Sequence, residues 1–143
     1  MKTIIAEKPS VAQQIAAVVG ATARKDGYIE GGGYAVTWAF GHLVGPAMPE
    51  AYGIEGFKRE NLPILPETFI LEPRRVKSGK EYKPDPGAVK QLAVLKELFS
   101  RTERIVVATD AGREGELIFR FIYHYLDCKT PFERLWILSL IHI

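Results

Sequence analysis

Asp110, Glu114 and Glu116 lie on one short stretch, Thr109-Asp110-Ala111-Gly112-Arg113-Glu114-Gly115-Glu116. Carboxylates this close repel one another, and they also oppose a bound phosphate. A hard divalent cation removes both conflicts, because carboxylate oxygens are its preferred ligands and it can bridge to phosphate oxygens. Gly112 and Gly115 let the backbone approach a ligand, and a helix starting here presents unpaired N–H groups. The stretch reads as a metal-and-phosphate site. A further acid, Glu7, follows the apolar run Thr3 to Ala6. It suits the same chemistry, and it suits equally the first turn of a helix, where a negative charge complements the dipole.

These residues need a scaffold, and the pattern of the chain supplies one. Thr3 to Ala6 and Ile105 to Val107 are short β-branched or apolar runs that predict buried strands. After the first, Pro9 opens a helix with Val11, Ala12, Ile15, Ala16 and Val19 on one stripe, closing at Gly20. After the second, Leu117, Ile118, Phe121, Ile122 and Tyr125 predict a helix packed on a sheet. Between them, Gly27 to Glu30 and Tyr34 to Phe40 flank Gly31-Gly32-Gly33 and predict a hairpin. Residues 44–66 carry Pro46, Pro49, Pro63 and Pro66 and predict an irregular excursion, followed by a strand at Thr68 to Leu71. Pro86 opens another helix whose Val89, Leu92, Ala93, Lys96 and Phe99 share a face, and Leu135-Trp136-Ile137 predicts a last strand. Strands alternating with helices imply a parallel sheet covered by helices, with ligands at the carboxyl ends of the strands. If the strands before Glu7 and Asp110 are neighbours, the two acids converge across the sequence.

Composition narrows the class. The 143 residues, 47% hydrophobic, suffice for one core. The net charge of +2 names no partner, but its distribution is uneven. Arg74, Arg75, Lys77, Lys80, Lys83 and Lys90 face only Glu81 and Asp85, after an acidic run from Glu50 to Glu72. On charge alone the basic run is a solvated hairpin or linker. The single Cys128 excludes an internal disulfide and a cysteine-cluster zinc site. No long apolar run suggests a membrane span, so a soluble protein of a reducing compartment is expected.

Ala6-Glu7-Lys8-Pro9-Ser10, Gly41-His42-Leu43, the acidic stretch from Thr109 to Glu116, and Arg134-Leu135-Trp136 occur in that order. Together they resemble type IA DNA topoisomerases, topoisomerase III in particular, over residues 1–137, the span of that family's amino-terminal Toprim domain. The resemblance implies an α/β, Rossmann-like parallel sheet flanked by helices, with an inserted β-hairpin and an irregular loop. It implies a bacterial, cytoplasmic, nucleoid-associated enzyme that cuts one DNA strand through a tyrosine, passes another strand, and reseals the break. Single-stranded regions of DNA are its substrate, and a helicase or single-strand-binding protein is an expected partner. Mapped onto this chain, Glu7 and Lys8 are catalytic, and Glu7, Asp110 and Glu114 hold Mg2+. Glu116, Arg113 and His42 are supporting candidates, although each fits a structural role equally.

The chain departs from the family pattern in three places. Gly112 stands where the commoner motif has an acid, which argues for one magnesium rather than two. No residue matches the family's nucleophilic tyrosine, so this chain alone is not expected to cleave and religate DNA. Residues 138–143, Leu-Ser-Leu-Ile-His-Ile, are apolar where the family continues with polar residues, and they read as a non-native tail. The other reading open at this level is a stand-alone Toprim nuclease or DNA-binding module.

Overall fold

A parallel pair at the centre of one sheet sets the architecture. In the computed structural model, which describes residues 1–56 and 58–138, the elements follow the chain as β1 (Lys2–Ala6), α1 (Pro9–Val19), β2 (Ala23–Lys25), β3 (Tyr28–Gly31), β4 (Tyr34–Trp38), β5 (Val44–Pro46), β6 (Leu71–Pro73), β7 (Arg75–Ser78), β8 (Glu81–Pro84), α2 (Pro86–Arg101), β9 (Arg104–Ala108), α3 (Arg113–Tyr125) and β10 (Phe132–Arg134). The main sheet has the order β10-β9-β1-β4-β3-β2. β10, β9, β1 and β4 run parallel, while β3 and β2 extend the sheet antiparallel. The expected Rossmann-like sheet is present, and the glycine-linked hairpin lies within it because β4 pairs directly with β1.

Each face of the sheet has its own core. Ile4 and Ala6 of β1 point to α1, where Ala12 and Ala16 let the helix sit close. Ile5, one position from each of those neighbours, points to the other face, against Leu92, Leu95, Phe99, Phe119 and Ile122 of α2 and α3. β1 is therefore covered on both sides, as its unbroken apolar run requires. α1 starts at Pro9 and its Gly20 N–H closes the end on the Ala16 carbonyl. α2 starts at Pro86 behind Asp85, whose carboxylate accepts from the Gly87 N–H.

Four expectations shift. On α2 the buried side is Ala88, Gln91, Leu92, Leu95, Leu98 and Phe99, whereas Val89, Ala93 and Lys96 lie exposed. Gln91 turns the helix because its amide nitrogen donates to the Gly27 and Trp38 carbonyls and to Thr37 Oγ1, three acceptors that would otherwise lack that donor in the core. On α3 the buried line is Gly115, Ile118, Phe119 and Ile122, with Leu117 and Phe121 only partly covered and Tyr125 exposed. The last strand is Phe132–Arg134 rather than Leu135 to Ile137: Phe132 packs on Phe119 and Tyr123, while Trp136 is exposed. The strand expected at Thr68 to Leu71 begins only at Leu71, with Phe69 and Ile70 exposed before it.

The excursion between β4 and α2 leaves the main sheet. β5 and β6 form one small ribbon, and β7 and β8 form another. Among the described residues no helix is long and apolar enough to cross a membrane. Of the tail read as non-native, residues 139–143 lie outside the described residues.

Candidate metal and phosphate site

β1 and β9 lie side by side in register, Ala6 opposite Ala108. Both strands stop at the same edge of the sheet, so the residues that follow them meet there. The Asp110 N–H donates to Glu7 Oε1 at 3.3 Å, joining residues 103 positions apart. The helix-dipole role for Glu7 does not hold, because α1 begins at Pro9 behind Lys8 and has no acid in its first turn. Burial, and next the Asp110 charge, raise the Glu7 pKa above its ordinary value; the Asp110 N–H and Lys8 offset this only in part.

That shift has a sign that can be tested. A carboxyl with a higher pKa in the folded chain than in the unfolded one favours folding while it is protonated. The Glu7 contribution is fully present below the ordinary value of 4.5, and it is lost as pH rises through the raised folded pKa. Glu7→Gln is neutral throughout. Its melting temperature is expected to gain on wild type as pH rises through that window, and parallel melting-versus-pH curves would contradict the assignment.

The bend that carries Asp110 is held from three directions. The buried Thr109 hydroxyl donates to the Gly115 carbonyl at 2.8 Å. The Ala111 N–H donates to the Ile137 carbonyl at 2.6 Å, and Asp110 bridges Ile137 in parallel fashion. Arg134 Nη1 donates to the Thr109 carbonyl at 2.6 Å and to Thr109 Oγ1 at 3.1 Å, while its Nη2 donates to Glu116 Oε2. Glu116 accepts also from Arg120 Nε at 2.8 Å. The Arg120 hydrogen bond, joined by that of Arg134, holds the Glu116 carboxyl below its ordinary range. Glu116 is thus a strut that ties α3 to β10. Gly115 also has a different use from the one expected: its missing Cβ makes room for the backbone of Asp110, not for a ligand.

Glu114 is turned elsewhere. It sits exposed on the first turn of α3, and its Oε2 lies 2.8 Å from His42 Nε2. His42 belongs to the turn after β4, which reverses at Gly41 with φ +76°, a conformation that suits glycine. Arg74 braces this turn from outside, donating through Nη1 to the Phe40 carbonyl at 3.0 Å and through its N–H to the Leu43 carbonyl at 2.8 Å. Lys8, at the start of α1, and Arg113, the first residue of α3, are exposed beside the two acidic strand ends. Gly112 has extended backbone, and a Cβ there would meet nothing within 4 Å.

Among the described residues, no three His, Cys, Asp or Glu side chains stand together as a ready-made metal cluster. Glu7 and Asp110 nonetheless make a suitable pair: two hard oxygen donors share a partly buried edge, and their mutual repulsion is what a cation would relieve. Glu114 does not stand with them as a third donor, and its Oε2 is engaged by His42. Sequence reasoning missed Arg134, Arg120 and Thr109 as the fixtures of the bend. The one available signal was Arg134 itself, in the Arg-Leu-Trp motif, an arginine that directly precedes an apolar run.

Comparison with known proteins accords with this geometry. The chain is 44% identical to DNA topoisomerase 3 of Shouchella clausii over 142 residues, which is 96% of this chain. It is 44% identical to DNA topoisomerase 3 of Bacillus subtilis over 138 residues and 45% identical to that of Bacillus cereus over 139. The matched stretch spans 18% of the length of each of these relatives. The family model for the Toprim domain matches residues 2–140, almost the entire chain. On that match, and with the acidic strand ends that the fold brings together, the chain belongs to the Toprim domain family.

Proposed function

We propose that residues 1–137 are the metal-binding Toprim domain of a DNA topoisomerase III, which relaxes or decatenates DNA by transient single-strand cleavage. The relatives' printed name, DNA topoisomerase 3, supports that reading. The observation that carries it is the contact of Glu7 with the Asp110 N–H at the ends of adjacent parallel strands. The substrate is DNA with single-stranded regions, in the bacterial cytoplasm, where a helicase or single-strand-binding protein would supply them.

Glu7, Asp110 and Glu114 are the residues that would hold Mg2+. When bound, a divalent ion supplies neutralisation of the phosphate oxygens. When it is not itself holding the ion, Glu7, whose burial favours its protonated form, would give a proton to the leaving oxygen of the scissile phosphodiester. Lys8 offers its ammonium to the same phosphate. His42 orients Glu114 until a ligand competes for it. The nucleophilic tyrosine belongs to another domain of the enzyme. In this chain the hydroxyls of Tyr28, Tyr52 and Tyr123 are engaged by Arg101, the Ile70 N–H and the Thr130 carbonyl.

Calorimetric titration with Mg2+ tests the ligand set. Relative to wild type, the Asp110→Ala, Glu114→Ala double variant is expected to bind about tenfold more weakly, roughly 1.4 kcal/mol. Unchanged isotherms would overturn the assignment.

A further inference from the structure

Every residue of the two β7–β8 hairpin strands is exposed to solvent, yet the root of the hairpin is among the best-braced points of the excursion. Arg74 Nε and Nη2 donate to Asp85 Oδ2 at 3.0 and 2.7 Å, and the Asp85 N–H donates to the Arg74 carbonyl at 2.7 Å. A free two-stranded ribbon is marginal in water, so this anchor is what presents the hairpin in one place. The register sorts its side chains. Lys77 lies opposite Tyr82 and Arg75 opposite Pro84, which puts Arg75, Lys77 and Tyr82 on one face. Tyr82 is 63% exposed there.

Charge and shape select the occupant. Arg75, Lys77, Lys80 and Lys83 outnumber the single acid of the ribbon, Glu81. Arg75 is paired with Glu72, but Lys77, Lys80 and Lys83 join no ion pair among the described residues. Beside the aromatic face opens a groove of about 680 Å³ lined by Met48, Glu50, Arg75, Glu81 and Tyr82. Lysines on the ribbon suit phosphates, the exposed phenol ring suits a base face, and the two groove carboxylates accept from exocyclic amines of bases. An acidic peptide would satisfy the lysines but would meet Glu50 and Glu81 in the groove.

We propose that the β7–β8 hairpin is a single-strand nucleic-acid contact, in which Tyr82 stacks on an unpaired base over the Met48 groove and Lys77, on the same face, and Lys80, in the turn, hold the adjoining phosphates. This rests on the DNA-directed reading above and extends it to a surface outside the acidic bend. The two are mechanically joined. Arg74, at the root of the hairpin, bonds to the Phe40–Leu43 turn, and that turn carries His42 to Glu114. A strand seated on the hairpin is thereby linked, through Arg74 and this turn, to the side chain that pairs with Glu114.

Fluorescence anisotropy of the chain with a labelled short single-stranded oligonucleotide tests the proposal. Tyr82→Ala is expected to weaken binding about tenfold, the effect of losing one stacked base, whereas Tyr82→Phe stays within about twofold. Lys77→Ala with Lys80→Ala is expected to flatten the log-affinity against log-salt slope by about 1.4, two single-strand phosphates' worth. Because all three side chains are exposed, circular dichroism of the variants should match wild type. Equal affinity of Tyr82→Ala and wild type overturns the hairpin contact and leaves the Toprim reading intact. Displacement by a polyglutamate peptide but not by unlabelled oligonucleotide overturns it in favour of a protein partner. If wild type binds no DNA, the proposal fails, and the separate Mg2+ titration decides whether the broader reading fails too.

Discussion

Gly115→Ala is expected to lower stability by about 3 kcal/mol or more and to distort the acidic bend. Helix propensity alone predicts the opposite sign, since alanine inside a helix is favoured over glycine by about 1 kcal/mol. Packing reverses it. A Cβ at Gly115 would collide with the Asp110 carbonyl oxygen and stand 2.9 Å from both the Asp110 carbonyl carbon and its nitrogen. These are backbone atoms in a bend pinned by Thr109, Ile137 and Arg134, so no flexible side chain can move aside. Either α3 shifts away from β9, exposing Ile118 and Phe119, or Asp110 leaves its place beside Glu7. Thermal or urea unfolding reads the loss directly. A stability equal to or above wild type would mean that the bend is looser than described.

Arg134→Ala ranks next. It removes two hydrogen bonds to Thr109 and one to Glu116, and it leaves the Thr109 carbonyl without that donor. Hydrogen bonds from a charged group contribute about 1.5–3 kcal/mol when well shielded. The carboxylate end here is 44% exposed, so solvent screening brings the expected loss to about 2 kcal/mol. Arg134→Lys should recover only part of it, because a single ammonium cannot span Thr109 and Glu116 as a planar fork does. The diagnostic readout is metal affinity: Arg134→Ala touches no ligand, yet weaker Mg2+ binding is expected because Asp110 follows Thr109 directly. Loss of stability with unaltered metal affinity would reduce Arg134 to a structural role.

Much of this architecture was legible from residue types. Pro9 and Gly20 marked both ends of α1, and the two β-branched runs located β1 and β9. The convergence of Glu7 and Asp110 followed from one topological rule about the carboxyl ends of parallel strands. Where sequence misled, tertiary contacts outweighed local pattern. Gln91 looks like a surface residue until its three core acceptors are known, and it rotates the apparent face of α2. Leu135 and Trp136 are more hydrophobic than Glu133 and Arg134, yet the strand forms earlier because Phe132 reaches the aromatic cluster with Phe119 and Tyr123. The partners that Glu116 and Glu114 take in the fold lie largely outside their own helix. Two arginines from distant or later positions capture the first, and His42 captures the second. The Glu116–Arg120 pair has the i,i+4 spacing of a helix face, but the Arg134 and His42 pairings, 18 and 72 positions apart, leave no such spacing.

Mn2+ titration followed by nuclear magnetic resonance tests the central claim most directly, since the paramagnetic ion broadens the amides nearest to it. Early, selective broadening at Glu7, Lys8 and Asp110 to Glu114 is the predicted result. Broadening centred on the acidic excursion from Glu50 to Glu72, with Glu7 and Asp110 left sharp, would contradict it.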